Sequence, residues 1–110
     1  MIDLDPMAAA LAAVAASPDR PATAVIHDTD DVRLVVFRLE DGQTVPPHRS
    51  VSSVMLTVLD GSGILSGESA ERRCKAGDVV MYDPNELHGM RAESARMLLL
   101  ATITPRPGSR

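Results

Sequence analysis

The sequence predicts an all-β domain, an antiparallel sandwich or barrel, preceded by one short helix. Between residues 24 and 104, runs of β-branched and aliphatic residues alternate with short turn signals, and no helical pattern lies between them. The chain has 110 residues, of which 45% are hydrophobic and 24% charged, as expected for one globular domain. We therefore expect a helix and linker over 1–20, a barrel over 21–104 and a flexible tail over 105–110.

The helix is predicted from the stretch DLDPMAAALAAVAAS near the N-terminus. Asp5 is a suitable N-cap and Pro6 suits the first helical position. Ser17-Pro18 should end the helix, because the residue before a proline avoids the helical conformation. Residues spaced four and three apart form one apolar stripe: Met7, Leu11 and Val14. This stripe predicts packing on the helix's own domain or, alternatively, across a dimer.

The strands are predicted from runs that end at recognisable turns. Clear strand patterns occupy residues 32–40, 51–59 and 95–103, the last being almost continuously apolar. Shorter strands lie between residues 64 and 93. Turn residues separate these runs at Asp41-Gly42, Asp60–Gly63, Gly67–Ala70, Gly77-Asp78 and Asp83–Asn85.

Composition excludes several classes of function. Eleven Lys and Arg against fifteen Asp and Glu give a net charge of −4, which does not attract nucleic acid. One Phe, one Tyr and no Trp cannot provide a platform for base stacking. No apolar run approaches the length of a membrane helix. The single cysteine, Cys74, rules out an internal disulfide, and together with the acidic N-terminus it predicts a cytoplasmic location.

Two segments between residues 42 and 92 resemble the paired motifs of the cupin family. The first family motif has glycine, five residues, His-x-His, three or four residues, glutamate, six residues and glycine; Gly42, His48 and Gly61 keep this spacing. The second has glycine, five residues, Pro-x-Gly, two residues and histidine, with asparagine four places on; Gly77 and His88 keep it. The resemblance implies a cupin-type double-stranded β-helix, a jelly-roll barrel, with family habit favouring a homodimer.

The departures from the family motifs fall on the metal ligands. Typical cupins hold a divalent metal with three histidines and a glutamate. Here Ser50 stands at the second histidine position, and Val54 or Met55 at the glutamate position. The second motif also has Ala92 at its asparagine position, Pro84 one place late, and Asn85 at its glycine position, where a left-handed turn is tolerated.

Two imidazoles alone are a weak donor set for a divalent metal. His48 and His88 are the ligands that the resemblance leaves, and a catalytic zinc normally keeps three protein ligands. Tyr82, Asp83 or Glu86 could supply a third ligand, but their spacing gives no reason to expect it. We therefore expect no tightly bound cofactor, the alternative being zinc, nickel, manganese or iron held by His48 and His88.

The expected site lies inside the barrel mouth. Strict alternation from His48 puts Ser50 and Ser52 on the inner face, above an apolar floor of Val54, Leu56 and Val58. The residues that we expect to contact a ligand are His48, Ser50, Tyr82, His88 and Met90.

Two classes of function fit this site. The first is binding of a small polar metabolite; the second is a cupin enzyme, either a metal-dependent dioxygenase or isomerase, or a metal-free epimerase-like catalyst pairing histidine with a carboxylate. The same pattern also describes a filled barrel in which the two histidines form a polar pair. Whether the protein is an enzyme stays open. The expected partners are a small-molecule ligand and a second copy of the chain, and not nucleic acid or membrane.

Overall fold

A computed structural model describes residues 1–108, in which one helix precedes seven strands. The elements are α1 (Pro6–Ala12), β1 (Ala22–Asp28), β2 (Arg33–Leu39), β3 (Thr44–His48), β4 (Ser53–Ser66), β5 (Glu71–Lys75), β6 (Val79–Tyr82) and β7 (His88–Thr104). All the strand pairs are antiparallel, in the order β1-β2-β7-β4-β5, with β3 paired to β7 and β6 paired to β4. The predicted all-β jelly roll with an N-terminal helix is confirmed, although the sheet is not closed.

Strands β4 and β7 are the longest and pair with each other over nearly their whole length. The ladder runs from Ser53 opposite Thr104 to Ser66 opposite Gly89, with irregularities beside Asp60 and Gly61. Strand β7 contributes to both halves of the jelly roll, because its second half pairs with β2 and its first half pairs with β3. The two runs predicted at 87–93 and 95–103 therefore form one strand, with Ser94 at a positive φ of 72° between them.

The core lies on the inner faces of β4 and β7. Alternate residues of β4 are buried, as the sequence predicted for Val54, Leu56 and Val58. They pack with buried side chains of other strands: Leu39, Tyr82, Met90, Met97, Leu99 and Ala101. Cys74, on β5, is buried in the same cluster.

Helix α1 begins as predicted but ends early. The Asp5 carboxylate accepts a hydrogen bond from the Ala8 N–H at 3.0 Å, and Pro6 occupies the first turn. The predicted end near Ser17 is wrong, because the chain becomes extended at Ala13. The Arg38 guanidinium explains this end, since it donates to the carbonyls of Ala10, Leu11 and Ala13 at 2.8–2.9 Å. No helix within residues 1–108 has the length and apolar character to cross a bilayer.

The apolar stripe of the helix does not face the barrel. The helix packs on its own domain as expected, but not through this stripe, since Met7, Leu11 and Val14 are 37%, 47% and 84% exposed. The helix packs instead through Ala10, which is fully buried against Val36 and Leu98. Alanine allows this close approach because it adds only a methyl group between the helix backbone and the sheet.

The start of the predicted tail is anchored. The Ser52 hydroxyl donates to the Pro105 carbonyl at 2.5 Å, and the Arg106 N–H donates to the Asp30 carbonyl at 3.2 Å. The Arg106 guanidinium also pairs with Asp28 at 3.1 Å. These contacts hold residues 105–108 beside the barrel mouth; the rest of the predicted tail, 109–110, lies outside the described residues.

The predicted turn at Asp60–Gly63 is wrong, because β4 continues through it with a register irregularity. This irregularity at Gly61 allows a stability test with a matched control. Gly61 has φ +78°, and a Cβ there would lie 1.7 Å from the Arg96 carbonyl oxygen, a backbone atom that cannot move aside. Gly77 has φ +93° with nothing within 4 Å of such a Cβ. Gly77→Ala should therefore lower the free energy of unfolding by only the left-handed strain, about 1–2 kcal/mol. Gly61→Ala should lower it by more than about 4 kcal/mol, the range of an unrelieved clash.

Urea denaturation of the wild type and both variants measures this difference. Equal losses in the two variants would mean that β7 does not approach Gly61 as closely as described.

Candidate functional site

A cavity of about 330 Å³ opens at one end of the barrel. This volume is at the lower end of the range found for small-molecule sites. Of the twelve described residues that line it, eight are apolar and four are polar: His48, Arg49, Ser50 and His88. Val54, Leu56 and Ile103 form part of its apolar wall. A molecule in this cavity would meet a hydrocarbon surface with polar groups grouped around the two histidines.

The two histidines are brought together by strand pairing. His48 ends β3, His88 begins β7, and the two are register partners in the antiparallel β3–β7 ladder. Their ring centroids are 4.2 Å apart, with the planes tilted by 57°. His88 is 4% exposed, whereas His48 lies at the exposed rim. Four of the five residues predicted to contact a ligand line the cavity: His48, Ser50, His88 and Met90.

Hydrogen bonds to the backbone define the protonation of both rings. His48 Nδ1 lies 3.0 Å from the Pro46 carbonyl oxygen, and His88 Nδ1 lies 3.2 Å from the Glu86 carbonyl oxygen. Because a carbonyl oxygen only accepts hydrogen bonds, each Nδ1 carries the proton and donates it. In the neutral ring Nε2 then has a free lone pair. Neither Nε2 has a hydrogen-bond partner within residues 1–108.

Burial keeps His88 neutral. Removal from water disfavours the imidazolium and lowers the pKa of His88, and the neighbouring His48 lowers it further. The hydrogen bond to the Glu86 carbonyl opposes this shift without reversing it. At neutral pH the buried end of the cavity therefore presents an unprotonated His88 Nε2.

Tyr82 supports the site from the barrel wall. Its ring centroid lies 5.1 Å from that of His88, and its hydroxyl donates to the Ser66 carbonyl at 3.0 Å. The side chain is buried and does not line the cavity. Its burial raises the pKa of Tyr82 to about 12. The strand alternation of VVMY, which puts Tyr82 on the inner face, does not distinguish a wall residue from a cavity residue.

Ser50 and Arg49 complete the polar rim. Ser50 Oγ accepts from the Ser52 N–H at 3.1 Å, which leaves the serine hydroxyl hydrogen free to donate. The Arg49 guanidinium pairs with Glu68 and donates to the Asn85 carbonyl at 2.8 Å. Asn85 adopts the left-handed conformation expected at the family's glycine position, with φ 67°.

Sequence reasoning missed six contributors to the cavity: Phe37, Arg49, Val51, Ala101, Ile103 and Pro107. Phe37 and Ile103 lie in strands that were identified, but nothing in their pattern distinguished the cavity from the rest of the core. Pro107 belongs to the segment that was predicted to be a flexible tail.

The residues present do not fit a tightly held metal. Val54, not Met55, occupies the family's glutamate position facing the cavity, and it is buried and apolar. No group of three His, Cys, Asp or Glu side chains within residues 1–108 is arranged to hold a metal ion. Glu86, considered above as a third ligand, instead accepts a hydrogen bond from the Asp83 N–H at 3.0 Å. Two imidazoles are one ligand short of a catalytic zinc site.

Comparison with known proteins agrees with the fold and the motif spacing. A family profile described as cupin domain matches residues 35–103. The chain belongs to the cupin family. A comparison with curated proteins gives no significant match. The same jelly roll is found in 412 chains of solved structures, so the architecture by itself selects no activity.

Three solved structures illustrate how varied the cupins of similar fold are. An RmlC-like cupin from Desulfovibrio desulfuricans is 28% identical, with a TM-score of 0.76 over 86% of this chain and 92% of its own. KdgF from a Halomonas species is 21% identical, with a TM-score of 0.78 over 86% and 87%. A predicted oxalate decarboxylase from Thermotoga maritima is 22% identical, with a TM-score of 0.73 over 78% and 81%. Because the last two are only 21% and 22% identical, their likeness to this cupin shows a shared fold and nothing further.

The wall position of Tyr82 leads to a spectroscopic prediction. Because this is the chain's single tyrosine, its ionisation can be followed directly by tyrosinate absorbance. In the folded protein the midpoint should lie at about pH 12, against about 10 for an unfolded chain. The raised pKa favours the protonated form in the fold, so this contribution to stability is present below about pH 10 and is lost between about pH 10 and 12.

The urea-unfolded protein provides the reference titration. A folded midpoint equal to that of the unfolded chain, in protein that circular dichroism shows is still folded, would mean that the Tyr82 hydroxyl is solvated and does not form part of the wall.

Proposed function

We propose that this cupin binds a small polar metabolite in the barrel interior and does so without a tightly held metal. The observation that carries the proposal is the pair of imidazoles above an apolar wall. His48 and His88 line a cavity of about 330 Å³, and neither Nε2 has a hydrogen-bond partner within residues 1–108. An apolar pocket with a few convergent polar groups is the usual form of a small-molecule site.

The metal-free form of the proposal is supported by the chemistry of the donor set. Ser50 and Val54 stand where the family has a histidine and a glutamate, and neither side chain replaces those ligands. If a divalent metal were bound here, His48 and His88 would supply the protein ligands, and the metal would contribute Lewis acidity toward a bound oxygen atom.

The enzymatic alternatives have less support. Metal-free catalysis by a histidine and a carboxylate needs an acid in the cavity, and none of the described residues that line it is Asp or Glu. Tyr82, the chain's single tyrosine, has its hydroxyl bonded to the Ser66 carbonyl and so does not supply a proton donor to the cavity. The neighbours' names, KdgF and predicted oxalate decarboxylase, point to different activities and favour neither for this chain.

We also propose that the protein acts as a homodimer in the cytoplasm. The exposed side chains of Met7, Leu11 and Val14 support the dimer, together with exposed Val25 on the edge strand β1. Strand 95–103 does not support it, since Met97, Leu98 and Leu99 are buried within one chain. The cytoplasmic location is supported by the single buried cysteine, Cys74.

Native mass spectrometry of protein purified without an affinity tag tests the ligand, the metal and the dimer together. We expect a dimer mass, a small organic molecule released on denaturation, and metal well below one ion per chain. The His48→Ala, His88→Ala double variant should lose the organic molecule because both acceptors are removed. His27→Ala is the matched control, since His27 lies on β1 opposite Leu34, away from the cavity.

Stoichiometric metal in the wild type that disappears in the double variant would contradict the metal-free proposal. A ligand retained by the double variant as well as by the His27 control would place the binding site elsewhere.

A further inference from the structure

The two histidine rings at the polar end of the cavity offer hydrogen-bond acceptors. Each ring commits its Nδ1–H to a backbone carbonyl, so donation from Nε2 would require the neutral ring to give up that bond. His88 is buried, and an acceptor that is removed from water without a donor is costly. A molecule that closes over His48 and His88 therefore gains most if it brings two hydrogen-bond donors, and the 4.2 Å between the ring centroids indicates that these donors lie close together.

Charge considerations favour a neutral donor. A carboxylate brings only acceptor oxygens, which would face the two Nε2 lone pairs without a proton between them. An ammonium group would find no carboxylate among the described residues lining the cavity, and it would approach the Arg49 guanidinium at the rim. Hydroxyl groups avoid both penalties, and Ser50 can offer a further hydrogen bond to their oxygens.

Cavity size and wall chemistry limit the rest of the molecule. A volume of about 330 Å³ corresponds to about eleven water molecules at about 30 Å³ each. That is room for a body of about one ring with its substituents. The wall at Val54, Leu56 and Ile103 is hydrocarbon, so the body gains by being apolar as well.

We propose that the cavity takes small neutral molecules in which two hydroxyls on adjacent carbons are carried by an apolar body of about one ring. One hydroxyl donates to His48 Nε2 and its neighbour donates to His88 Nε2, while the ring lies against the aliphatic wall. This inference rests on the proposed binding function and adds the chemical class of the ligand. Catechol is the simplest probe with these features.

Titration calorimetry on the full chain tests the class, without oxygen and in parallel runs with and without a metal chelator. The probes are catechol, 1,2-dimethoxybenzene, which has the same ring without donors, and benzoate, which replaces the donors by a carboxylate. Catechol should bind at least about tenfold more tightly than either, because only catechol satisfies both acceptors. His48→Phe should remove most of this preference, and His27→Phe should leave it unchanged. His48 lies at the exposed rim, so its replacement should keep the fold, which circular dichroism checks.

The outcomes separate this inference from the function it rests on. Equal binding of catechol and 1,2-dimethoxybenzene overturns the donor-pair inference while leaving a small-molecule cavity. Stronger binding of benzoate overturns it in favour of anions. Catechol binding that the chelator abolishes overturns it in favour of a bound metal. If no probe binds, the class is wrong, whereas the ligand found by native mass spectrometry decides the proposed function independently.

Discussion

The antiparallel pairing of β4 with β7 is the constraint on which the rest of the structure depends. It runs from Ser53 opposite Thr104 to Ser66 opposite Gly89, and it buries the inner faces of both strands. The remaining strands pair with one of these two, except edge strand β1, which pairs with β2. A one-residue slip would turn Val54, Leu56 and Val58 away from the core, so the hydrophobic pattern fixes the register.

The site follows from that register. Because β7 starts at His88 and also pairs with β3, it brings His48 opposite His88 and directs both toward the cavity. Backbone carbonyls at Pro46 and Glu86 then fix the tautomers. In many metal sites the same arrangement orients an imidazole toward its ion. Here Ser50 and Val54 do not complete the donor set, and we propose that the arrangement serves hydrogen bonding to a ligand.

Much of the fold could be predicted from local signals, and less of the site. Turn residues such as Gly77 and Asn85 mark strand ends because few residues tolerate their backbone conformation, whereas Gly61 marks an irregularity inside β4. Motif spacing placed His48 and His88 at one site. The early end of α1 depends on Arg38, distant in sequence, and the wall position of Tyr82 depends on its bond to the Ser66 carbonyl. Local patterns do not contain such long-range contacts, as the anchoring of Pro105 by Ser52 also illustrates.

The central proposal is that this barrel keeps a ligand cavity but does not hold a metal tightly, because its donor set is incomplete. Zinc content after dialysis against a chelator, compared between the wild type and Ser50→His, tests it most directly. The wild type should lose its zinc, whereas Ser50→His, with three imidazoles at the cavity, should keep about one ion per chain. Ser53→His, outside the cavity lining, is the matched control and should behave as the wild type. Zinc retained equally by the wild type and Ser50→His would contradict the account.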